Sequence, residues 1–540
     1  MTAFSPELVA EYTRSGAWTD ETIADAVARQ AATQPDAPAI IAEDAVLTWR
    51  EYDELSTRLA AALVTAGFAP GQHLAVLVAN SAATHVAYLA TQKAGLVIVG
   101  LGPRSGIAEI RHILGKTGTR AIMTRSVHRG RNATELAGEL GLDRHLVLDV
   151  AQRSISVDGS PVALPEFDQA RSLVQGRGRG ANDAFFINST SGTTGLPKCV
   201  IQTMNCRKYF VPLAVEAGAL GDAEVVASMV PAPYGFGQWT AHVLPPMRGY
   251  PVVLTEEFSA EQTLRLVQQH RVTVLAAVTS QFIMMLNSPV MDEVDLSSLK
   301  VLFTGGEKVP YNRAAEFEDR TGCAVLQFYG SNEAGPVSVT SVADDREHRL
   351  GTVGRPIPAM NLRLFGPDGS DRTSEGGPGQ VAVRGPGLTP GYYDDPAANA
   401  QLIRPDGWML TGDIATLDED GYLRITGRAA DIIIRGGQNI SVLAVEEAVG
   451  SCPRVRQVAV VSCPDEVLGE RVCAYVVTDD GAEMTLDELT AALAAQGVSK
   501  YMWPERLVTL PELPLSAGGK ADKVALRADA ARRFGSAGGR

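Results

Sequence analysis

From about residue 20 to residue 340, short apolar runs rich in β-branched residues alternate with stretches of helical periodicity. That order restricts the chain to a small set of folds. A strand–helix–strand unit brings its two strands parallel and lays the helix on one face of the sheet, so a long series of them predicts a doubly wound α/β architecture. His73 to Val78 reads as a buried strand, Ser81 to Lys93 as a helix and Val97 to Gly100 as the next strand. The pattern returns at Val225 to Met229, at Val252 to Leu254 before the helix Ala260 to His270, at Val272 to Val278 and at Val301 to Phe303.

At 540 residues the chain exceeds what one hydrophobic core covers, so several folding units are expected. After about residue 350, Gly and Pro punctuate short strands such as Gly379 to Gly385 and Gly421 to Thr426, predicting a small β-barrel-like subdomain at about 350–428. A compact α+β module follows, with the run Ala444 to Val449, strands at Val458 to Val461 and Val472 to Val477, and a helix at Leu486 to Gln496. The expected domains are 1–428 and 429–540, with the hinge at Arg428 to Asp431 and a frayed tail over Ala528 to Arg540.

The net charge of −14 disfavours a nonspecific nucleic-acid binder, which needs a cationic face to displace counterions. No basic segment followed by an apolar core opens the chain, and no apolar run approaches the ~18 residues of a membrane span. The six cysteines show neither C-x-x-C nor zinc-finger spacing and read as reduced thiols. Together these predict a cytoplasmic protein without nucleic-acid or membrane partners.

The stretch Ser189-Thr190-Ser191-Gly192-Thr193-Thr194-Gly195-Leu196-Pro197-Lys198 follows the apolar run Ala184 to Ile187. Glycines let backbone N–H groups approach an anion, the hydroxyls add donors, and Lys198 supplies a movable positive charge. Only nine of the 48 basic residues are lysine, so a lysine here carries information. The spacing differs from the Walker pattern, and the composition by itself also fits a polar loop between strand and helix.

Further along stand Tyr329-Gly330-Ser331-Asn332-Glu333, Gly379 to Tyr392, Thr411-Gly412-Asp413, Gly427 to Gly437 and Pro514 to Lys523. With these in this order, nearly the whole chain resembles the adenylate-forming superfamily of acyl-CoA synthetases, nonribosomal peptide adenylation domains and luciferases. The chemistry behind such an enzyme is simple. A carboxylate does not react with a thiol at useful rates because oxide would have to leave, so it is first converted to a mixed anhydride with AMP. The carboxylate attacks the α-phosphorus in line with departing pyrophosphate, and catalysis is mainly positioning and charge neutralisation.

The resemblance implies ATP, Mg²⁺ and coenzyme A, and a role for each matching residue. The 189–198 loop, from Ser189 through Gly195 to Lys198, would hold the departing phosphates, and Glu333 the Mg²⁺ ion, which favours hard oxygens. Tyr329, flanked by Phe328, Gly330 and Ser331, would lie against adenine, with Gly305, Gly306 and Glu307 as the opposite wall. Asn332 would contact the α-phosphate, Asp413 and Arg428 the ribose, and Lys520 would bridge the reacting carboxylate and α-phosphate. A rotation of the C-terminal module would then replace Lys520 by the face of Arg435, Gly436 and Gly437 for the thiol step.

Pro231-Ala-Pro-Tyr234-Gly235-Phe236-Gly237 resembles the family's acid-pocket segment, so Tyr234, Gly235 and Phe236, with Gly305 and Gly330, are the expected substrate residues. Amino-acid-activating relatives tend to carry aspartate where Gly235 stands, and salicylate activators asparagine. Glycine implies an acid without an α-amino group and room for a sizeable ring beside Tyr234 and Phe236. Those two and Trp239 also fit plain core aromatics. Asn332 stands where threonine is usual and Ala430 where the hinge usually has Asp or Lys.

The expected function is therefore a Mg²⁺-dependent carboxylate–CoA ligase for an aromatic or alicyclic acid, acting through acyl-AMP. A stand-alone aryl-acid adenylating enzyme that loads a carrier protein is the alternative, and a nonenzymatic nucleotide-binding protein the reading from another class. Whether the chain forms a homodimer is open.

Overall fold

The computed structural model describes residues 4–189, 197–307, 309–428, 432–435, 438–465, 468–516 and 520–534. They divide into two compact units, one of residues 4–189, 197–362 and 383–409, the other of 363–382 and 410–534.

Two sheets build the first unit. The larger has nine strands in the order Arg355–Pro356, Gly335–Val339, Ala324–Ser331, Val301–Gly305, Val274–Ala276, Val226–Ser228, Val252–Leu254, Pro38–Ile41 and Val46–Thr48. Its centre is parallel, and antiparallel pairs close both edges. The other has eight strands in the order Ser160–Val162, Ser154–Val157, Arg144–Asp149, Ala121–Thr124, His73–Leu77, Val97–Gly100, Ala184–Ser189 and Cys199–Thr203, again parallel at the centre. The doubly wound architecture expected from the alternation is the one observed.

Strand order determines where a ligand can enter. Val226–Ser228 lies between the two strands that follow it, Val252–Leu254 on one side and Val274–Ala276 on the other. His73–Leu77 has the same position between Val97–Gly100 and Ala121–Thr124. At such reversals successive connections leave to opposite faces of the sheet and open a crevice outside the carboxyl ends of the strands. In the larger sheet the chain leaves that point as Met229 to Tyr234, directly before the expected acid-pocket residues.

Local chemistry starts the helices. Thr22 and Asp25 form a reciprocal capping box for Ile23–Thr33, and Thr48 and Glu51 do the same for Trp49–Thr65. The helix Ala82–Lys93 is buried on every side, its residues Ala82 to Gln92 all inside. Lys93 ends it with Nζ 2.6 Å from Asp53 Oδ1, so the one cation on the helix is paired. Beside the larger sheet, Phe282 and Phe317 pack edge to face at 5.7 Å between ring centroids, among Leu264, Val267, Leu275, Leu302 and Val325.

In the second unit, Gln438–Ser441, Ile432–Arg435, Gly469–Thr478 and Val455–Asp465 form a sheet, and Arg506–Thr509 pairs with Gly469–Thr478. The stretch expected to be barrel-like pairs as one four-stranded sheet of Asn361–Phe365, Gly379–Arg384, Met409–Leu417 and Leu423–Arg428. The second unit thus takes in residues 363–382 and 410–428 together with the chain's C-terminal part. The chain end differs from expectation: Lys523–Phe534 is a helix, where fraying was expected from Ala528. Leu526 and Ala530 are spaced to share one face and join Tyr475 and Cys473 in the core, and Asp529 ties Tyr475, Arg532 and Arg533. Tertiary packing holds a segment whose composition reads as a loose end. Residues 535–540 lie outside those described.

Phe282→Ala is expected to cost about 3–5 kcal/mol of the first unit's stability, the usual penalty for removing a buried ring. The measurement is the denaturant midpoint of that unit's transition, and a loss below about 1 kcal/mol would show that this ring does not anchor the core.

Candidate active site

The site residues of the first unit gather at the carboxyl ends of its strands. Ala184–Ser189 and Cys199–Thr203 are antiparallel neighbours with Ser189 opposite Cys199, so the Ser/Thr/Gly loop joins two strands and not a strand and a helix. Ser189 and Lys198 mark its two ends. Thr190, Ser191, Gly192, Thr193, Thr194 and Gly195 lie outside the described residues.

Gly305 ends one strand and Phe328 to Ser331 end its parallel neighbour, with Gly305 opposite Phe328. A Cβ on Gly305 would lie 2.2 Å from the backbone oxygen of Phe328, and one on Gly330 would lie 2.2 Å from that of Gly335. Both glycines are therefore required by backbone approach. Beyond them Tyr329 to Glu333 emerge half-exposed from a buried strand. Ser331 Oγ accepts from the Glu333 and Ala334 backbone N–H groups at 3.2 and 3.1 Å, which holds the turn that presents Glu333. Gly306 is exposed, and Glu307 accepts from the Ser280 N–H at 3.3 Å.

Glu333 has a partner that the sequence reading did not name. The Tyr392 hydroxyl donates to Glu333 Oε1 at 2.9 Å, and Lys198 Nζ stands 4.7 Å from the centre of the same ring. Tyr392 thus connects the lysine of the phosphate-type loop to the expected Mg²⁺ ligand. Burial, with the adjacent Glu333 carboxylate, pushes its phenol well above the ordinary range, so it acts as a permanent donor. The second carboxylate oxygen of Glu333 makes no hydrogen bond among the described residues and remains as a hard donor. No cluster of three or more His, Cys, Asp or Glu side chains is placed to hold a metal among the described residues. One carboxylate completed by phosphate oxygens is a common way to hold Mg²⁺, so the donor set fits that ion.

Asn332 is turned toward the other sheet. Its Oδ1 accepts from Asn188 Nδ2 at 3.0 Å, and its backbone oxygen accepts from Gln202 Nε2 at 2.8 Å and from Arg207 Nη2 at 3.3 Å. Asn188, Gln202 and Arg207 were also not legible as site residues, because each lies outside the motif stretches and nothing local in the sequence gives it a partner.

On the acid side, Tyr234, Gly235 and Phe236 are half-exposed in an otherwise buried segment. Phe236 stacks edge-on to Phe328 at 6.3 Å, and Phe328 also packs against Phe303, Phe210 and Trp239. Phe328, expected among the nucleotide residues, therefore has its ring in this aromatic cluster. Gly235 itself is closely approached by its neighbours. A Cβ there would lie 2.3 Å from Asn332 Oδ1 and 3.3 Å from Arg207 Nη2. The two departures from the family pattern, Gly235 and Asn332, are thus one packing solution.

In the second unit Asp413 and Arg428 are register partners in adjacent strands, with Arg428 Nε 2.7 Å from Asp413 Oδ1. The guanidinium of Arg435 is held by Glu505 Oε1 at 3.0 Å and by the Tyr501 backbone oxygen at 2.7 Å. Lys520 is exposed, and its backbone oxygen accepts from the Ser516 N–H at 2.7 Å, beside the bridge between Leu515 and Ala521. Ala430, Asp431, Gly436 and Gly437 lie outside the described residues.

A doubly wound scaffold that ends in a Ser/Thr/Gly loop, a tethered carboxylate and an aromatic wall defines an enzyme of the adenylate-forming class. Residues 27–393 match the family of AMP-binding enzymes, and residues 444–520 match the AMP-binding enzyme C-terminal domain. The chain belongs to this family. It is 30% identical to the 2-hydroxy-7-methoxy-5-methyl-1-naphthoate–CoA ligase of Streptomyces carzinostaticus, over 97% of this chain and 96% of that protein. It is also 30% identical to the medium-chain fatty-acid–CoA ligase of Escherichia coli, over 98% of this chain and 94% of that protein. The solved amide bond synthetase McbA from Marinactinospora thermotolerans superposes with a TM-score of 0.78 at 28% identity, covering 94% of this chain and 99% of that one. Within the family, the chain is an AMP-forming acid–thiol ligase.

Tyr392→Phe removes the donor to Glu333 and leaves the ring beside Lys198. A hydrogen bond to a charged group contributes about 1.5–3 kcal/mol, so kcat/KM for adenylate formation is expected to fall about 10- to 100-fold. Pyrophosphate exchange at several Mg²⁺ concentrations measures it; a value within twofold of the parent would show the contact to be idle.

Proposed function

We propose that this chain is a Mg²⁺-dependent carboxylate–CoA ligase for an aromatic or alicyclic acid. The observation that carries the reading is the Tyr392 link between Lys198 and Glu333; Phe236, packed edge to face on Phe328, adds aromatic surface in the segment expected to border the acid. A cation and a carboxylate arranged on one ring suit a triphosphate and its metal, and the aromatic wall suits a flat acid. The naphthoate-activating relative supports the aromatic class.

The acid carboxylate attacks the α-phosphorus of ATP, and the bond to pyrophosphate breaks. The thiol sulfur then attacks the acyl carbon, and AMP leaves. Lys198 and the 189–198 loop neutralise the departing phosphates, Glu333 supplies a metal ligand, and Tyr329 borders the base opposite Gly305 to Glu307. The assignments of Asp413 and Arg428 to the ribose, of Lys520 to adenylate formation and of Arg435 to Gly437 to the thiol face rest on their family motifs. So does the role of 429–540 as the mobile domain. With all six cysteines free and buried, the cytoplasm is the proposed location.

Pyrophosphate release across benzoates, naphthoates, cinnamates, cyclohexanoates and medium-chain fatty acids tests the acid class, with CoA or a phosphopantetheinylated carrier protein as acceptor. An aromatic or alicyclic acid is expected to give the highest kcat/KM, with CoA as acceptor. A clear preference for fatty acids would overturn the first part, and activity with the carrier alone the second. Lys520→Ala is expected to reduce adenylate formation by at least about 100-fold while sparing thioester formation from supplied acyl-AMP, a loss of charge stabilisation confined to one transition state. Equal loss in both half-reactions would remove Lys520 from this role.

A further inference from the structure

Arg207 is a buried cation that forms no ion pair among the described residues. It sits in the short helix Met204–Lys208, all of whose residues are buried, and is itself 3% exposed. Its one hydrogen bond among the described residues runs from Nη2 to the Asn332 backbone oxygen at 3.3 Å, and its Nε has no partner. No carboxylate of the described residues lies within ion-pair distance. Glu333 acts on its charge from further away, and its Oε1 is taken by Tyr392. Burial pulls the guanidinium down to about 10, so it remains charged at neutral pH.

Such a group is costly. A buried charge is unfavourable unless paired and hydrogen-bonded, and a guanidinium has five donors to satisfy. Arg207 also has a definite aim. Its Nη2 and Nη1 lie 3.3 and 3.5 Å from where a Cβ on Gly235 would be, so the fork faces the half-exposed backbone between Tyr234 and Phe236. Lys198 is already the cation of the phosphate-type loop, which leaves Arg207 on the acid side. A planar fork of donors matches oxygen acceptors, above all a carboxylate.

We propose that Arg207 anchors an oxygen acceptor at the reacting end of the acid: its carboxylate, or a hydroxyl, keto or second carboxylate oxygen on the neighbouring carbon. This rests on the reading above that Tyr234, Gly235 and Phe236 border the acid. It adds a cationic recognition point beside Gly235 and excludes acids that place an ammonium group there.

The test compares the full-length enzyme with Arg207→Met and Arg207→Lys in steady-state pyrophosphate release. Benzoate, 2-hydroxybenzoate, 3-hydroxybenzoate, 1-naphthoate, 2-hydroxy-1-naphthoate and octanoate are the acids, and KM is measured for acid and for ATP. Methionine keeps the volume, and the Asn332 oxygen retains its bond from Gln202, so folding is expected to survive; thermal melting and the ATP KM check this. In Arg207→Met the acid KM is expected to rise about 10- to 100-fold with the ATP KM within twofold, and Arg207→Lys to recover part of the loss. An equal penalty on benzoate and 2-hydroxybenzoate identifies the carboxylate as the acceptor, and a penalty confined to the 2-hydroxy acids identifies the neighbouring oxygen. An unchanged acid KM in both variants, or an ATP KM rising in step with it, would overturn the proposal. If the parent enzyme turns over octanoate alone, the aromatic reading fails, while the same comparison on octanoate still decides Arg207.

Discussion

The first unit depends on a buried amide junction between its two sheets. Gln202 reaches from Cys199–Thr203 of the eight-stranded sheet to the backbone oxygen of Asn332, just beyond a strand of the nine-stranded one, while Asn188 holds the Asn332 carboxamide. Gln202 Nε2 also donates to Asn188 Oδ1 at 3.2 Å, so the three amides close on one another. Buried amides are costly unless satisfied, and these are satisfied only when the two sheets meet in this register. The junction therefore determines which strand ends face each other, and with them where Glu333, Tyr392 and Gly235 lie.

That placement explains why the polar groups around it have different fates. Glu333 lies one residue past the junction, half-exposed, with one oxygen held by a tyrosine and one left for a ligand. Arg207 lies behind the junction, where water cannot solvate it and only one described acceptor reaches it. A fold can carry such an uncompensated charge when function requires it, at the expense of stability. Gly235 completes the arrangement, because any side chain there would displace the carboxamide that Asn188 holds.

Much of the fold was legible from local pattern. Val97–Gly100 and Val252–Leu254 have the bounds that their apolar runs imply, and the helix expected over Ser81 to Lys93 is observed at Ala82–Lys93. The carboxyl-terminal helix was not legible, since Leu526 and Ala530 are too sparse to mark an apolar face until the strands they cover are known. At the site, glycine and hydroxyl density exposed the 189–198 loop and order along the chain exposed Glu333, Asp413 and Lys520. Tyr392, though it closes a recognised stretch, and Arg207 received no role because a tyrosine or an arginine has many uses, and only a neighbour distant in sequence selects one of them.

By itself the sequence determined the α/β class, the approximate strands and helices, and the family whose motifs it carries in order, because periodicity, backbone propensity and motif spacing act over short stretches of chain. Tertiary structure alone decided that Tyr392 joins Lys198 to Glu333, that the Asn332 carboxamide abuts Gly235, and that Arg207 is buried with no ion pair among the described residues. Those facts depend on distances between residues far apart in the chain, and packing of the two sheets sets such distances, which no local preference encodes.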